Sequence, residues 1–132
     1  MPHLKKLTPN LIVANVERSL AFYEDVLGFT RAMTVPEQSP FVFASVTSGP
    51  IEVFFNDRSF VAKESPQFAG RQLGGGNLMF IELEGVDALH DAIEDRVKVI
   101  MPLVTQWYGM REFAIEDPDG YVITFAERVA QG

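Results

Sequence analysis

Apolar residues recur along the chain with a period of two in short stretches and near 3.6 in two longer ones, and the order of the two periods repeats. In Pro9-Asn10-Leu11-Ile12-Val13 the alternation predicts a first strand, with Pro9, which has no N–H for a ladder, at its start. Val16, Leu20, Tyr23 and Leu27 then fall at helical spacing, leaving Glu17, Arg18, Glu24 and Asp25 outward. Asn15 is suited to cap this helix and Gly28 to close it in the left-handed conformation. Strands follow over 29–34, 41–46 and 51–55, divided by a turn from Val35 to Pro40 and by Ser48-Gly49-Pro50.

Residues 57–76 break the pattern with Asp57, Pro66, Gly70 and the run Gly74-Gly75-Gly76, and read as a linker. The glycine run is not a phosphate loop, because no Lys-Ser or Lys-Thr follows it and no helix starts there. The order then repeats: a strand over 78–83, a helix over 86–94 with Val86, Leu89 and Ile93 inward, and a strand over 97–101. A hairpin closes the chain, its strands at 110–115 and 121–126 joined by Glu116-Asp117-Pro118-Asp119-Gly120, where Pro presets φ and Gly frees it. The expected fold is α+β, a single domain over 1–132. It holds two tandem βαβββ modules, at about 4–56 and about 77–128, that form a cupped mixed sheet with helices on the outer face.

A chain of 132 residues is long enough to bury one core without staples. It has no cysteine, which excludes disulfides and thiolate metal sites and fits a reducing compartment. Pro9 and Asn10 come too early for the apolar centre of a secretory signal, so a cytoplasmic location is expected. No apolar run approaches the ~20 residues of a membrane helix. With 18 acidic against 11 basic side chains, a net charge of −7, nucleic acid is not an expected partner and a cationic ligand is mildly favoured.

Strand parity sorts side chains between the helix-packed face of a sheet and an open trough. Ile51, Val53 and Phe55 alternate against Glu52 and Phe54, so placing the aliphatic set on the helix sends Glu52 and Phe54 into the trough. The same parity puts Thr8, Asn10 and Ile12 there, with Leu78 and Phe80, and with Val122, Thr124 and Ala126. Phe22, Phe29, Phe55, Phe113 and Phe125 read as core, whereas Phe41, Phe43, Phe54 and Trp107 offer ring faces to a ligand, and Tyr108 stands with Trp107 where a strand leaves a loop. Arg111 and Glu112 are adjacent on a strand, so at most one of them enters the trough.

The stretch Leu11 to Phe29, together with Trp107 to Glu127, resembles the glyoxalase/bleomycin resistance group of the vicinal oxygen chelate superfamily. Within it, Trp107-Tyr108-Gly109-Met110-Arg111-Glu112-Phe113 before an Asp-Pro turn is most similar to bleomycin resistance proteins, with Tyr108 as an extra residue between Trp and Gly. The resemblance implies a homodimer that holds a cationic, flat, partly aromatic small molecule, such as a glycopeptide antibiotic, in grooves at the subunit boundary. It further implies exchange of the first strand between subunits, with Pro9 where a hinge would lie. The ligand residues expected are Thr8, Phe41, Phe43, Glu52, Phe54, Leu78, Trp107, Tyr108 and Thr124.

In the metal enzymes of the superfamily four trough positions carry His, Glu or Gln, and here they correspond to Thr8, Glu52, Leu78 and Thr124. Only Glu52 is a strong ligand, and His3 and His90 lie outside the set, so no metal and no cofactor is expected. The alternative is a glyoxalase-like lyase, isomerase or dioxygenase, metal-dependent or using Glu52 as a base. A third reading is an interaction domain whose trough is filled by its own side chains.

Overall fold

The computed structural model describes residues 2–129, and the chain divides between Arg71 and Gln72 into two compact units. In the first, β1 (Asn10–Val13) leads into α1 (Val16–Ala21), whose continuation over Phe22–Val26 widens to π-helix. Then come β2 (Thr30–Val35), β3 (Phe43–Ser48), β4 (Ile51–Asp57) and α2 (Arg58–Glu64). The second unit holds β5 (Leu78–Glu82), α3 (Val86–Ile93), β6 (Lys98–Thr105), β7 (Met110–Glu116) and β8 (Val122–Arg128). The strand orders are β1-β4-β3-β2 and β5-β8-β7-β6. In each sheet the first pair is parallel and the other two antiparallel. This is the expected α+β pattern of tandem βαβββ modules, realised as two four-stranded mixed sheets.

Local chemistry sets the first helix as the sequence predicts. The Asn15 side chain accepts the Arg18 N–H at 2.7 Å, satisfying one of the free donors of the first turn, and Gly28 ends the helix at φ +77°. Val16, Leu20 and Tyr23 are buried with Leu11, Val13, Ala44, Val46, Val53 and Phe55 of the sheet, and the Tyr23 ring lies 4.8 Å from that of Phe55. Each of the larger side chains contributes about 1.5–3 kcal/mol by leaving water. In the second unit α3 packs on β7 and β8. Phe113, Ile115, Ile123 and Phe125 face it, with the His90 ring edge-on to Phe113 at 5.1 Å.

The hairpin turn is tied by one side chain. Asp117, 5% exposed, accepts the N–H groups of Asp119 and Tyr121 through Oδ1, both at 2.9 Å, and Gly120 takes φ +88°. The linker expected over 57–76 instead begins as helix: Asp57 accepts the N–H groups of Ser59 and Phe60 at 3.1 Å and starts α2, which packs on β4 and β1. Seven residues are too few for a periodicity signal, so the capping aspartate was the one available sign. Within the glycine run, Gly74 has φ +77°, and a Cβ there would lie 2.5 Å from the backbone carbon of Gly120. That glycine serves a close approach of two backbones rather than slack.

Strand β6 runs on through Pro102 to Thr105, past its expected end at 101. It lies at a sheet edge and its register against β7 shifts twice, which is where a residue without an N–H is tolerated. Among the described residues no helix is long and apolar enough to cross a membrane.

Candidate functional site

Register fixes which side chains share the face of the first sheet turned away from α1. Directly paired residues point the same way, so Glu52, Phe54 and Asn56 of β4 stand with Asn10 and Ile12 of β1, Phe43, Ser45 and Thr47 of β3, and Met33 and Val35 of β2. The parity expected for Glu52, Phe54, Asn10 and Ile12 is therefore what the strands adopt. Phe43 and Phe54 meet at 5.1 Å with their planes 62° apart, a quadrupole-favoured edge contact that leaves ring area open. Both are half-buried. Lys6, from the segment ahead of β1, forms an ion pair with Oε1 of Glu52, and the Asn56 amide donates to that of Asn10.

Of the two other expected residues of this unit, Phe41 lies elsewhere. Thr8 precedes β1 and is half-buried, and the ladder with β4 reaches Pro9, whose carbonyl accepts the Phe54 N–H at 2.9 Å. Phe41 belongs with the helix: its N–H donates to Glu17 of α1 at 3.1 Å, and Arg31, itself paired with Glu24, sits 5.8 Å from its ring centroid. Hydrogen bonds from Ser39 and the Phe41 N–H hold the Glu17 carboxyl below its usual range.

On the second sheet the face away from α3 carries Leu78, Phe80 and Glu82 of β5, Val122, Thr124 and Ala126 of β8, and Glu112, Ala114 and Glu116 of β7. Leu78 and Phe80 are exposed, at 75% and 57%, and Thr124 is half-buried. Gln106 to Gly109 turn the chain from β6 to β7, with the Gly109 N–H donating to Gln106 at 3.0 Å and Gly109 at φ +85°. This turn presents Trp107, 91% exposed, with its ring edge-on to Tyr108 at 5.3 Å.

The adjacent pair separates as strand geometry requires. Arg111 goes to the α3 side, where it pairs with Asp87 at 2.7 Å, and Glu112 goes to the opposite face. Glu112 is 4% exposed, and its Oε1 accepts the Tyr108 hydroxyl at 2.5 Å. Its Oε2 has no hydrogen-bond partner among the described residues. The same hydrogen bond raises the Tyr108 phenol above its usual range, with lesser contributions from desolvation and the carboxylate's charge. Sequence reasoning left Glu112 and Lys6 out of the site. The signal for Glu112 was present, since Phe113 and Ile115 on the helix force it to the other face; Lys6 lies 46 residues from its partner and gave none.

The four positions at which the metal enzymes carry ligands do not fit a divalent ion here. Leu78 has no donor, Thr8 and Thr124 offer neutral hydroxyls, and the one carboxylate, Glu52, is engaged by Lys6. His90, Asp91 and Glu94 have donor atoms within 4.8 Å of one another, but they lie on α3 and its 3₁₀ extension, and the His90 nitrogens face those two carboxylates.

The sequence profile described as the Glyoxalase/Bleomycin resistance protein/Dioxygenase superfamily matches residues 2–125. A bleomycin resistance protein of Geobacillus stearothermophilus is 30% identical over 129 residues, covering 92% of this chain and 95% of that one. Among solved structures, a protein of unknown function from Agrobacterium tumefaciens str. C58 superposes with a TM-score of 0.77 at 26% identity, over 98% of both chains. The bleomycin-binding protein from bleomycin-producing Streptomyces verticillus, complexed with copper(II)-bleomycin, superposes with a TM-score of 0.62 at 22% identity, over 99% of this chain and 100% of that one. By fold, by profile and by these relatives, the chain belongs to the glyoxalase/bleomycin resistance protein/dioxygenase superfamily.

Proposed function

We propose that the chain is a small-molecule binding protein of the bleomycin resistance type, which sequesters a cationic, partly aromatic ligand without chemical change. The observation that carries this reading is the open face of the first sheet, which carries both a pair of rings and a carboxylate that already holds a cation of the chain's own, the Lys6 ammonium. A ligand ammonium competes for the same oxygen while its flat portion lies against ring surface. Exposed Trp107 supports the reading, because its ring is available for stacking against a flat ligand. The relatives' names support bleomycin-like antibiotics as first candidates. The positions of the superfamily's metal ligands, with one acid among four, argue against metal chemistry at that place.

The proposal includes a homodimer with ligand grooves at the subunit boundary and the first strand exchanged. Exposed Leu78 and Phe80 on β5 are apolar area that a partner copy covers. Light scattering at micromolar concentration is expected to give twice the chain mass; one chain's mass removes the dimer.

The deciding experiment is a thermal shift screen with cationic aromatic antibiotics, metal-free and copper(II)-bleomycin among them, repeated with divalent metals alone. A binder raises the midpoint in proportion to the logarithm of its concentration. Glu52→Gln and Trp107→Ala are each expected to weaken any hit. Affinity unchanged in both variants would mean the groove lies elsewhere. Stoichiometric metal in protein purified without chelator would favour the lyase, isomerase or dioxygenase reading.

A further inference from the structure

We infer that Glu112 is a second ligand acceptor, on the second sheet, and that it selects cationic nitrogen groups bearing N–H, an amidinium, guanidinium or primary ammonium, over permanently alkylated cations. This rests on the binding reading above and adds to it which ligand group is recognised. Residues 104, 110, 114 and 126 surround position 112 along and across the strands, and they are Val, Met, Ala and Ala, none with a side-chain hydrogen to donate. Among the described residues the Tyr108 hydroxyl is therefore the side-chain donor that reaches the carboxylate, and it serves Oε1 alone. A carboxylate oxygen, nine-tenths or more out of water and without a donor, is destabilising for the free protein and is relieved by a donor brought from outside.

The surroundings suit that donor. Tyr108 is only partly covered and belongs to the short turn that also presents Trp107, so an aryl cation meets an aromatic surface beside the acid. The two acids then differ in what they reward. Glu52, on the face that also carries Phe43 and Phe54, attracts any cation through its charge. The unserved oxygen of Glu112 gains only from a group that donates, because a charge-assisted hydrogen bond is what it lacks.

The test uses two probes of similar size and equal charge, benzamidinium, with an N–H fork, and phenyltrimethylammonium, with no N–H. Binding is read by calorimetry and by the emission of Trp107, the chain's single tryptophan. The intact protein is expected to bind benzamidinium at least about tenfold more tightly, the size of one charge-assisted hydrogen bond. Glu112→Gln is expected to bring the two probes within about threefold. Tyr108→Phe, which frees Oε1 as well, is expected to widen the preference, and it remains informative if the Gln variant does not fold. Equal affinities in the intact protein, a preference that survives Glu112→Gln, or no benzamidinium binding at all overturns the inference. If both probes bind equally and Glu52→Gln weakens both, the proposed function stands while this assignment falls; if antibiotics and probes alike fail to bind, both fall.

Discussion

Removing Lys6 tests directly whether Glu52 is where a ligand's cation sits. In the free protein its ammonium occupies Oε1 of Glu52, and a cationic ligand has to displace it. The lysine is exposed and the glutamate partly so, with side-chain exposures of 56% and 23%, so the pair's worth is that of a solvent-screened ion pair, about 0.5–1 kcal/mol. Lys6→Ala should therefore raise the affinity for phenyltrimethylammonium or a cationic antibiotic by about twofold to fivefold, the same energy read as a binding constant. Unfolding free energy should change by less than about 1 kcal/mol. Calorimetric titration at low and at moderate salt is the assay, because screening should shrink the gain as ionic strength rises. Glu52→Gln should act in the opposite direction on the same ligand. If Lys6→Ala instead weakens binding of these cations, the Lys6 ammonium does not compete with the ligand for Glu52, and the placement of the cation at that carboxylate is refuted.

Three further outcomes follow from the geometry. Asp117→Ala removes two hydrogen bonds to a charged acceptor inside the hairpin turn, one of them to the buried Tyr121 N–H, and should cost about 3 kcal/mol, lowering the thermal midpoint by about 10 °C; a shift under about 2 °C would show that the turn holds without its clamp. Gly74→Ala should destabilise by at least about 2 kcal/mol, while Gly75→Ala, where an added Cβ meets nothing within 4 Å, should stay within about 0.5 kcal/mol in urea titration; equal effects would refute the close approach to Gly120. Tyr108 has its pKa raised above 10.0, so the stability its hydrogen bond gives is fully present below that pH and is lost as pH rises through the folded value. Absorbance titration of the phenols should show Glu112→Gln moving one of them back toward the ordinary range, and no movement would contradict the Tyr108–Glu112 bond.

What could be read in advance was whatever depends on local periodicity. The helix from Asn15 to Gly28 and the hairpin around Asp117 carry their own start and stop residues, and the face assignment of Glu52 and Phe54 follows from alternation with Val53 and Phe55 alone. What escaped depends on contacts between residues distant in sequence or on irregular backbone. Phe41 is held by Glu17 and Arg31, partners that no spacing rule connects to it. The role of Glu112 depends on Tyr108, which the turn folds back over the strand, and its apolar surroundings come from three different strands.

The two outer margins of each sheet are unlike. On one side β6 is interrupted by Pro102 and two register shifts, and β2 by one shift, so neither offers an unbroken row of amides to an incoming chain. On the other side β1 and β5 pair with their inner neighbours without a break, and β5 adds bare leucine and phenylalanine. An incoming strand thereby meets a regular ladder at the β1 and β5 margins and an interrupted one at β2 and β6, so edge pairing is disfavoured at the latter two.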